Sequence, residues 1–312
     1  MAAKSELAPA PGIRMDPGAA PRGLARSALR AGFRLLGIVP FSVYVLLGLV
    51  LPTIAIAIGA FENSDTGALT FSNLDVAAHG IYLTGFETSI KLSVLAAVIP
   101  GIVGFLIAYA IFTAKGRAGS AIRRVAITAS GVFANFGGVP LAFLFIASLG
   151  TTGIVTGWLN DLGVNIYAGK FSLFTLTGVL LAYMYFQIPL MVLVILPALE
   201  GLRPAWREAA SNLGASAWHF WRYIGGPVLF PPFLGCVLLL FGSAFSAYAT
   251  ADAMTAGALP LTSIQIGSFL NGNVIAGQQN VGKALGLGMV VIIAIVMIFY
   301  TLLQRRAAKW LR

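Results

Sequence analysis

The polar stretch Glu200–Pro227 reads EGLRPAWREAASNLGASAWHFWRYIGGP and lies between two uncharged runs of membrane length. Pro204 can open a short helix, because a missing N–H is harmless in the first turn of a helix. Gly214 is expected to end that helix in the left-handed conformation that glycine adopts easily. The stretch therefore predicts a helix and a tight turn in the loop between two membrane spans.

The first helix of this loop is predicted to have two unlike faces. At helical spacing, one narrow face consists mostly of small residues: Trp206, Ala209, Ala210 and Leu213. The opposite, hydrated face consists of Arg207, Glu208, Ser211 and Asn212. Such a helix suits docking into a groove of another protein, and an ordinary loop lying on the bilayer surface is the alternative.

A second short helix is predicted at Ala215–Ile224. Its Trp and Tyr residues are of the types that lie at the depth of lipid headgroups. Gly225, Gly226 and Pro227 follow. These three residues are expected to break the helix before the next span begins.

The composition indicates an integral membrane protein. Of the 312 residues, 58% are hydrophobic and 10% are charged, and the mean hydropathy is +0.90. Soluble domains are about 25% charged. Cys236 is the single cysteine and lies in an apolar run, so it predicts core filling and allows no disulfide within the chain. The two histidines lie far apart, and no metal site is predicted.

Six transmembrane helices are predicted, so the fold class is an all-α integral membrane protein. The spans are Leu35–Phe61, Thr88–Ala114, Val125–Leu149, Phe171–Leu199, Val228–Ala251 and Ala284–Gln304. Within the third span, NFGGVP at Asn135–Pro140 is expected to unwind, and a re-entrant or interfacial piece is predicted at Gly150–Asn160. Irregular backbone at membrane depth is tolerated only where protein or a cavity lines it.

Four regions are predicted along the chain. They are a disordered basic tail at 1–34, the first helix with an outer loop at 35–83, a core of five helices at 84–304 that contains the loop 200–228, and a basic tail at 305–312. Between the second and third spans, Lys115–Arg124 is predicted to be a short basic turn. The segments Glu62–Glu87 and Asp252–Lys283 are predicted to lie on the outer side.

The basic residues are distributed unevenly between the two ends of the predicted bundle. With six spans, 17 of the 20 Lys and Arg residues lie on the side of the two termini and of the loop 200–228. The positive-inside rule places that side, with both termini, in the cytoplasm. The net charge of +10 is explained by this topology, which argues against a nucleic-acid partner.

Several residues of the loop together resemble a family signature, the EAA–G–I–x–L–P motif of permease subunits of binding-protein-dependent ABC importers. The matching residues are Glu208, Ala209, Ala210, Gly214, Ile224 and Pro227. Gly226 departs from the signature, because the family usually has Leu there. The resemblance implies a type I ABC importer permease fold in a bacterial inner membrane.

The same resemblance implies several partners. They are a second permease subunit, identical or different, two ATP-binding subunits, and an extracytoplasmic solute-binding protein that contacts the outer segments. In the family, the loop fits a cleft on a cytoplasmic ATP-binding subunit. Glu208 would offer a carboxylate to a basic or N–H group of that subunit. Ala209 and Ala210 would allow close approach, and Gly214 would make the turn.

The chain itself is not expected to be an enzyme. It has no GxxxxGK[ST] phosphate loop. ATP and Mg²⁺ are therefore expected in the partner ATPase, with no catalytic residue and no cofactor in this chain. An ion-coupled carrier or channel that works without an ATPase is the alternative, and the absence of a carboxylate in mid-span argues against it.

Four polar side chains at membrane depth are predicted to line a substrate pathway: Asn135, Gln187, Ser246 and Tyr248. For each of them, hydrogen bonding between helices is the alternative. The stretch FANFGGVPLAF at 133–143 resembles the polyamine, iron(III), phosphonate and thiamine branch of the family. A small polar solute is therefore expected.

Overall fold

The computed structural model describes residues 39–114, 116–169, 171–272 and 278–310, and the predicted tail at 1–34 lies outside them. The described residues form α1 (Val39–Ala60), α2 (Ser72–Ala77), α3 (Gly80–Thr113), α4 (Gly116–Asn135), α5 (Gly138–Leu149), α6 (Ile154–Asp161), α7 (Leu176–Glu200), α8 (Pro204–Asn212), α9 (Ala217–Ser246), α10 (Ala249–Thr255), α11 (Thr262–Leu270) and α12 (Val281–Trp310).

Within the described residues, six helical segments are long and apolar enough to cross a membrane. They are Val39–Ala60, Gly80–Thr113, Gly138–Asp161, Leu176–Glu200, Ala217–Ser246 and Val281–Leu302. The same residues contain no β-strand, only an isolated bridge between Glu62 and Leu69. The prediction of an all-α membrane protein with six spans is confirmed.

The chain divides into two compact units, Met1–Ala55 and Ile56–Arg312. The described part of the first unit belongs to α1, where a π-turn at Leu46–Val50 lies just before Pro52. A proline has no N–H to donate and crowds the carbonyl four residues earlier. The extra residue of a π-turn accommodates such a proline without ending the helix.

In the second unit, α7 packs against α3, α4 and α9. Its two halves belong to separate clusters of buried side chains. Tyr183 lies in one cluster with side chains of α3, α5 and α10. Met191 lies in the other with side chains of α3 and α9, including Cys236, whose predicted core-filling role is confirmed. At Gly104 of α3, a Cβ would lie 2.6 Å from the Met191 Cβ, so glycine permits this close approach.

The predicted basic turn before the third span is wrong. Helix α4 begins at Gly116 and includes Arg117, Arg123 and Arg124. Gly116 makes the turn after α3 with a φ of +79°. The residues that follow contain good helix formers and no proline, so nothing stops the helix before it reaches the apolar region.

The predicted third helix at Val125–Leu149 is two helices. Phe136 and Gly137 interrupt it, within the stretch Asn135–Pro140 where unwinding is expected, and α5 then begins at Gly138. Pro140 lies in the first turn of α5, where a proline is tolerated. The predicted piece after this span is a turn followed by α6.

Helices α4 and α5 run together along α7 in the opposite direction. Arg123 near the start of α4 pairs with Glu200 at the end of α7. Further along, the ring of Phe133 contacts that of Tyr185 in the middle of α7. Leu141 of α5 then lies in the cluster of the first half of α7. The break between α4 and α5 therefore lies partway along the bundle.

The remaining spans begin or end several residues from their predicted positions. The second begins at Gly80, the fourth at Leu176 and the sixth at Val281. The fifth ends at Ser246, where a span to Ala251 is predicted. Helix α10 follows after a break at Ala247 and Tyr248 that the sequence pattern does not signal.

Candidate functional site

The loop between α7 and α9 folds as predicted at its first helix and turn. Helix α8 begins at Pro204, and Gly214 has a φ of +77°. The Gly214 N–H donates to the Ser211 carbonyl (2.9 Å), and the Ala215 N–H donates to the Ala210 carbonyl (2.9 Å). These two bonds form a Schellman motif, which closes a helix with a left-handed residue. The turn depends on glycine, because residues with a Cβ rarely adopt this φ.

Helix α8 is exposed on both of its predicted faces. Glu208 and Ala209 are exposed, and Ala210 is buried. On the narrow face, Trp206 and Leu213 have exposed fractions of 37% and 88%. The described residues of this chain therefore leave most of the narrow face available to another molecule.

The helix break predicted at Gly225, Gly226 and Pro227 is wrong. Ala217–Ser246 is continuously helical, and its π-turn at Trp221–Gly225 lies just before Pro227. The π-turn accommodates the proline, as in α1. The Gly226 N–H donates to the Trp221 carbonyl, and a Cβ at Gly226 would lie 2.6 Å from that oxygen. Gly226, where the family signature usually has Leu, is thus a position at which this π-turn needs glycine.

Both ends of the loop are anchored to the helical bundle. At its start, Arg123 of α4 pairs with Glu200, and Leu202 is buried with the second half of α7. At its end, the Trp221 ring contacts the Tyr109 ring of α3 edge to face, with centroids 5.3 Å apart. The loop is therefore a protruding element with two fixed ends.

A groove of about 1310 Å³ lies between the end of α3 and the start of α9. Ile224 and Pro227, two residues of the signature, line it together with Tyr109 and Phe230. The matched residues therefore occupy two surfaces, the exposed helix α8 with its turn and the wall of this groove.

Three of the four predicted pathway residues lie on the surface of the chain. Asn135, Ser246 and Tyr248 are exposed, and the first two donate hydrogen bonds to carbonyls of their own helices. Gln187 is fully buried, and its Nε2 donates to the Leu240 carbonyl (2.8 Å). Gln187 thus joins α7 to α9, which is the interaction that the alternative describes.

Two breaks in the helical path lie side by side. One break precedes α5 and the other precedes α10. A hydrogen bond links them, in which the Gly138 N–H donates to Thr250 Oγ1 (2.8 Å). The Ala247 carbonyl accepts from the Tyr183 hydroxyl (3.1 Å) and from the Ser263 hydroxyl (3.1 Å). Lipid cannot satisfy broken backbone hydrogen bonds, so such partners are needed at membrane depth.

Tyr248 lies in the second break, close to an acidic residue. Its hydroxyl interacts with the side chains of Asp252 and Asn271. The Tyr248 ring also packs against α11, where a Cβ at Gly267 would lie 2.6 Å from it. Contacts with α10 and α11 therefore hold the Tyr248 ring in place.

Sequence reasoning does not identify three residues that hold these sites in place: Arg123, Thr250 and Ser263. A hydroxyl or a charge near the end of an apolar run signals a polar contact. The partner of each group lies far away in the sequence, so the signal is incomplete without the structure.

Six membrane-length spans within the described residues, with an exposed helix and turn between two of them, define a multi-span membrane protein. The chain belongs to the family of binding-protein-dependent transport system inner membrane components, whose family model matches residues 92–309. The predicted family and its inner-membrane location are confirmed.

Relatives in this family include permeases for different solutes. The thiamine transport system permease protein ThiP of Escherichia coli (strain K12) is 32% identical over 102 residues, which are 32% of this chain and 19% of that protein. The probable sulfate transport system permease protein cysT of Nephroselmis olivacea is 23% identical over 205 residues, 66% of this chain and 67% of that protein. The chain spans about a fifth of the length of the thiamine permeases that it matches.

Solved structures share the fold. A chain of a bacterial ABC transporter involved in the import of the acidic polysaccharide alginate has a TM-score of 0.70 at 18% identity, over 91% of this chain and 99% of that chain. The alginate transporter in complex with an alginate pentasaccharide-bound periplasmic protein has a TM-score of 0.69 at 17% identity, over 90% of this chain and 96% of that chain. The predicted ABC importer permease fold is confirmed.

Proposed function

We propose that this chain is the permease subunit of an ATP-driven, binding-protein-dependent ABC importer and forms half of its translocation pathway. A second permease subunit supplies the other half. Two ATP-binding subunits bind ATP and Mg²⁺ and hydrolyse the nucleotide. A solute-binding protein delivers the solute at the opposite side of the membrane.

The observation that carries this proposal is an exposed loop held firmly at both ends. Glu208 and Ala209 face away from the bundle, and Gly214 sets the turn. The ends of the loop continue into α7 and α9 and are fixed by the pairs Arg123–Glu200 and Tyr109–Trp221. A displacement of the loop by an ATPase therefore moves α7 and α9 with it.

The orientation follows from charge. The basic residues of α4, of the loop and of the end of α12 belong to helix ends on the side of the loop. The positive-inside rule places this side in the cytoplasm, where an ATPase could reach Glu208. Both termini lie on the same side in this arrangement.

The exposed polar groups near the two helix breaks form the proposed pathway surface. Asn135, Ser246 and Tyr248 are exposed in segments that lie at membrane depth, where contact with lipid is unfavourable for polar groups. The solute is small and polar. Thiamine, whose permease is among the relatives, belongs to the branch that FANFGGVPLAF resembles.

Co-purification with the ATPase tests the coupling loop. The tagged full-length chain is purified from native membranes, and ATP-binding subunits per permease are counted by quantitative mass spectrometry. Glu208→Lys should reduce this ratio at least about tenfold, because losing one partner of a buried charge pair costs about 2–5 kcal/mol. Asn212→Lys is the control, since it introduces the same side chain into α8 and keeps the Glu208 carboxylate.

The outcomes separate the two functions. Loss of the ATPase with Glu208→Lys alone supports the importer, provided that both variants remain in the membrane. Equal recovery of the ATPase with both variants contradicts the coupling role of Glu208. If the wild-type chain captures no ATPase, and solute uptake by cells stops when the proton gradient is collapsed at constant ATP, the ion-coupled carrier replaces the proposal.

A further inference from the structure

A small cavity lies where α3 ends and α4 begins. It has a volume of about 370 Å³, and its rim includes the side chains of Arg123 and Arg124. Its walls include Ile111 and Phe112 of α3 and Ile127 of α4, which are apolar. Guanidinium groups at the rim can bind an anionic group, and apolar walls can contact a hydrocarbon chain. The cavity therefore suits an amphiphilic anion.

The two arginines of the cavity differ in their partners. Arg123 pairs with Glu200, which compensates its charge. Arg124 is exposed and has no ion-pair partner among the described residues. Among the described lining residues, Arg124 therefore leaves a positive charge without a compensating carboxylate. The positive end of the α4 helix dipole adds to it, because the cavity lies at the helix start.

The position of the cavity in the bilayer favours a lipid. Helix α3 is apolar enough to span a membrane and ends at Thr113, next to Ala114 in the cavity wall. This level corresponds to the headgroup region, where arginines meet lipid phosphates. Basic pockets between transmembrane helices are typical binding sites for anionic headgroups.

We propose that this cavity binds the phosphate of an anionic lipid headgroup, with Arg124 as the main contact and Arg123 shared between the phosphate and Glu200. Guanidinium groups bind phosphate oxygens through charge-assisted hydrogen bonds. Glu200 is the last residue of α7 before the loop, so the lipid competes with the contact that anchors the loop. The site goes beyond the proposed transport function and can be tested without it.

Retention of short-chain lipids by the purified full-length chain tests the site. The detergent-solubilised protein is mixed with dioctanoyl phosphatidylglycerol or dioctanoyl phosphatidylcholine, and adducts are counted by native mass spectrometry. Wild-type protein should retain the anionic lipid preferentially. Arg124→Gln should lower its affinity about tenfold, which corresponds to about 1.4 kcal/mol, because the phosphate loses its main charge-assisted hydrogen bonds.

Two further variants make the test specific. Arg305→Gln removes an exposed arginine from α12, outside the cavity, and should leave retention unchanged. Glu200→Gln removes the competitor for Arg123 and should raise the affinity, by up to about fivefold for an exposed pair. A gain of binding cannot be mistaken for damage to the fold.

Each result either supports or overturns the binding of an anionic lipid in this cavity. Equal retention by Arg124→Gln and Arg305→Gln would overturn the proposal, as would an unchanged or lower affinity with Glu200→Gln. Inorganic phosphate is then added to the wild-type complex with dioctanoyl phosphatidylglycerol. Displacement at millimolar concentration supports phosphate recognition and makes free phosphate a second source of the ligand. Retention of the lipid supports the headgroup as the source.

Discussion

The loop Glu200–Pro227 and the paired helix breaks before α5 and α10 both interrupt a helical bundle, but different contacts hold them. In the loop, the turn at Gly214 is closed by backbone bonds between residues close in the sequence. At the breaks, Gly138 and Thr250 are 112 positions apart, and Tyr183 and Ala247 are 64 positions apart.

This difference indicates how each region responds to change. The loop carries its own turn and is attached only at its ends, so it can keep its shape while it moves with α7 and α9. The breaks exist only while distant helices stay in place. Substitutions at the breaks should therefore affect the stability of the bundle first, and substitutions in the loop should affect coupling first.

The largest expected effect on stability is at Thr250. Thr250→Val keeps the shape of the side chain and removes the acceptor of the Gly138 N–H, which is then left without this partner in a partly buried position. A buried donor that loses its partner costs about 1–3 kcal/mol. Thermal unfolding in detergent should show a clear fall in the transition midpoint.

Thr88→Val is the matched control. The Thr88 hydroxyl is exposed and, among the described residues, bonds only to the Thr84 carbonyl of its own helix, 2.8 Å away. Its removal should change stability by less than about 0.5 kcal/mol. If Thr88→Val destabilises the protein as much as Thr250→Val does, the long-range bond does not hold the breaks together.

The sequence predicts local features of this fold well and long-range ones poorly. Apolar run lengths predict the six spans, and Gly214 predicts the turn, because both depend on neighbouring residues. The π-turn before Pro227 is not predicted, since a proline after two glycines is equally consistent with a broken helix. The break at Ala247 is not predicted, because its support comes from Tyr183 and Ser263 on other helices.

The next largest effect on stability is expected at the turn made by Gly214. Gly214→Ala forces a Cβ into the left-handed region, which costs about 1–2 kcal/mol. Gly242→Ala is the matched control: it makes the same change inside α9, where a Cβ meets nothing within 4 Å. The control should be neutral or stabilising, by about 0.5–1 kcal/mol, because alanine favours a helix interior. Both are measured by thermal unfolding and by recovery of the ATPase. If Gly214→Ala and Gly242→Ala gave the same unfolding midpoint and the same ATPase recovery, the turn at Gly214 would not depend on glycine.

A smaller effect is expected at the second break. Tyr183→Phe removes one of the two donors to the Ala247 carbonyl and should cost about 1 kcal/mol. The double variant with Ser263→Ala should cost more than the sum of the single variants, because the carbonyl then loses both donors. Tyr185→Phe is the control, since the Tyr185 ring packs against aromatic and aliphatic side chains while its hydroxyl has no hydrogen bond to any described residue. Strict additivity in thermal unfolding would show that the two donors act independently.

The smallest effect on stability is expected at the anchor of the loop, where it also tests whether the loop moves with the bundle. The side chains of Arg123 and Glu200 are 46% and 41% exposed, so their pair should contribute only about 0.2–1 kcal/mol to the free energy of unfolding.

Arg123→Glu and Glu200→Arg should each reduce ATPase activity stimulated by the binding protein, and combining them should restore it, because the pair re-forms with its charges exchanged. Arg124→Glu combined with Glu200→Arg is the control and should restore nothing. Restoration by that control would mean that the net charge near the loop matters, and not the contact between α4 and α7.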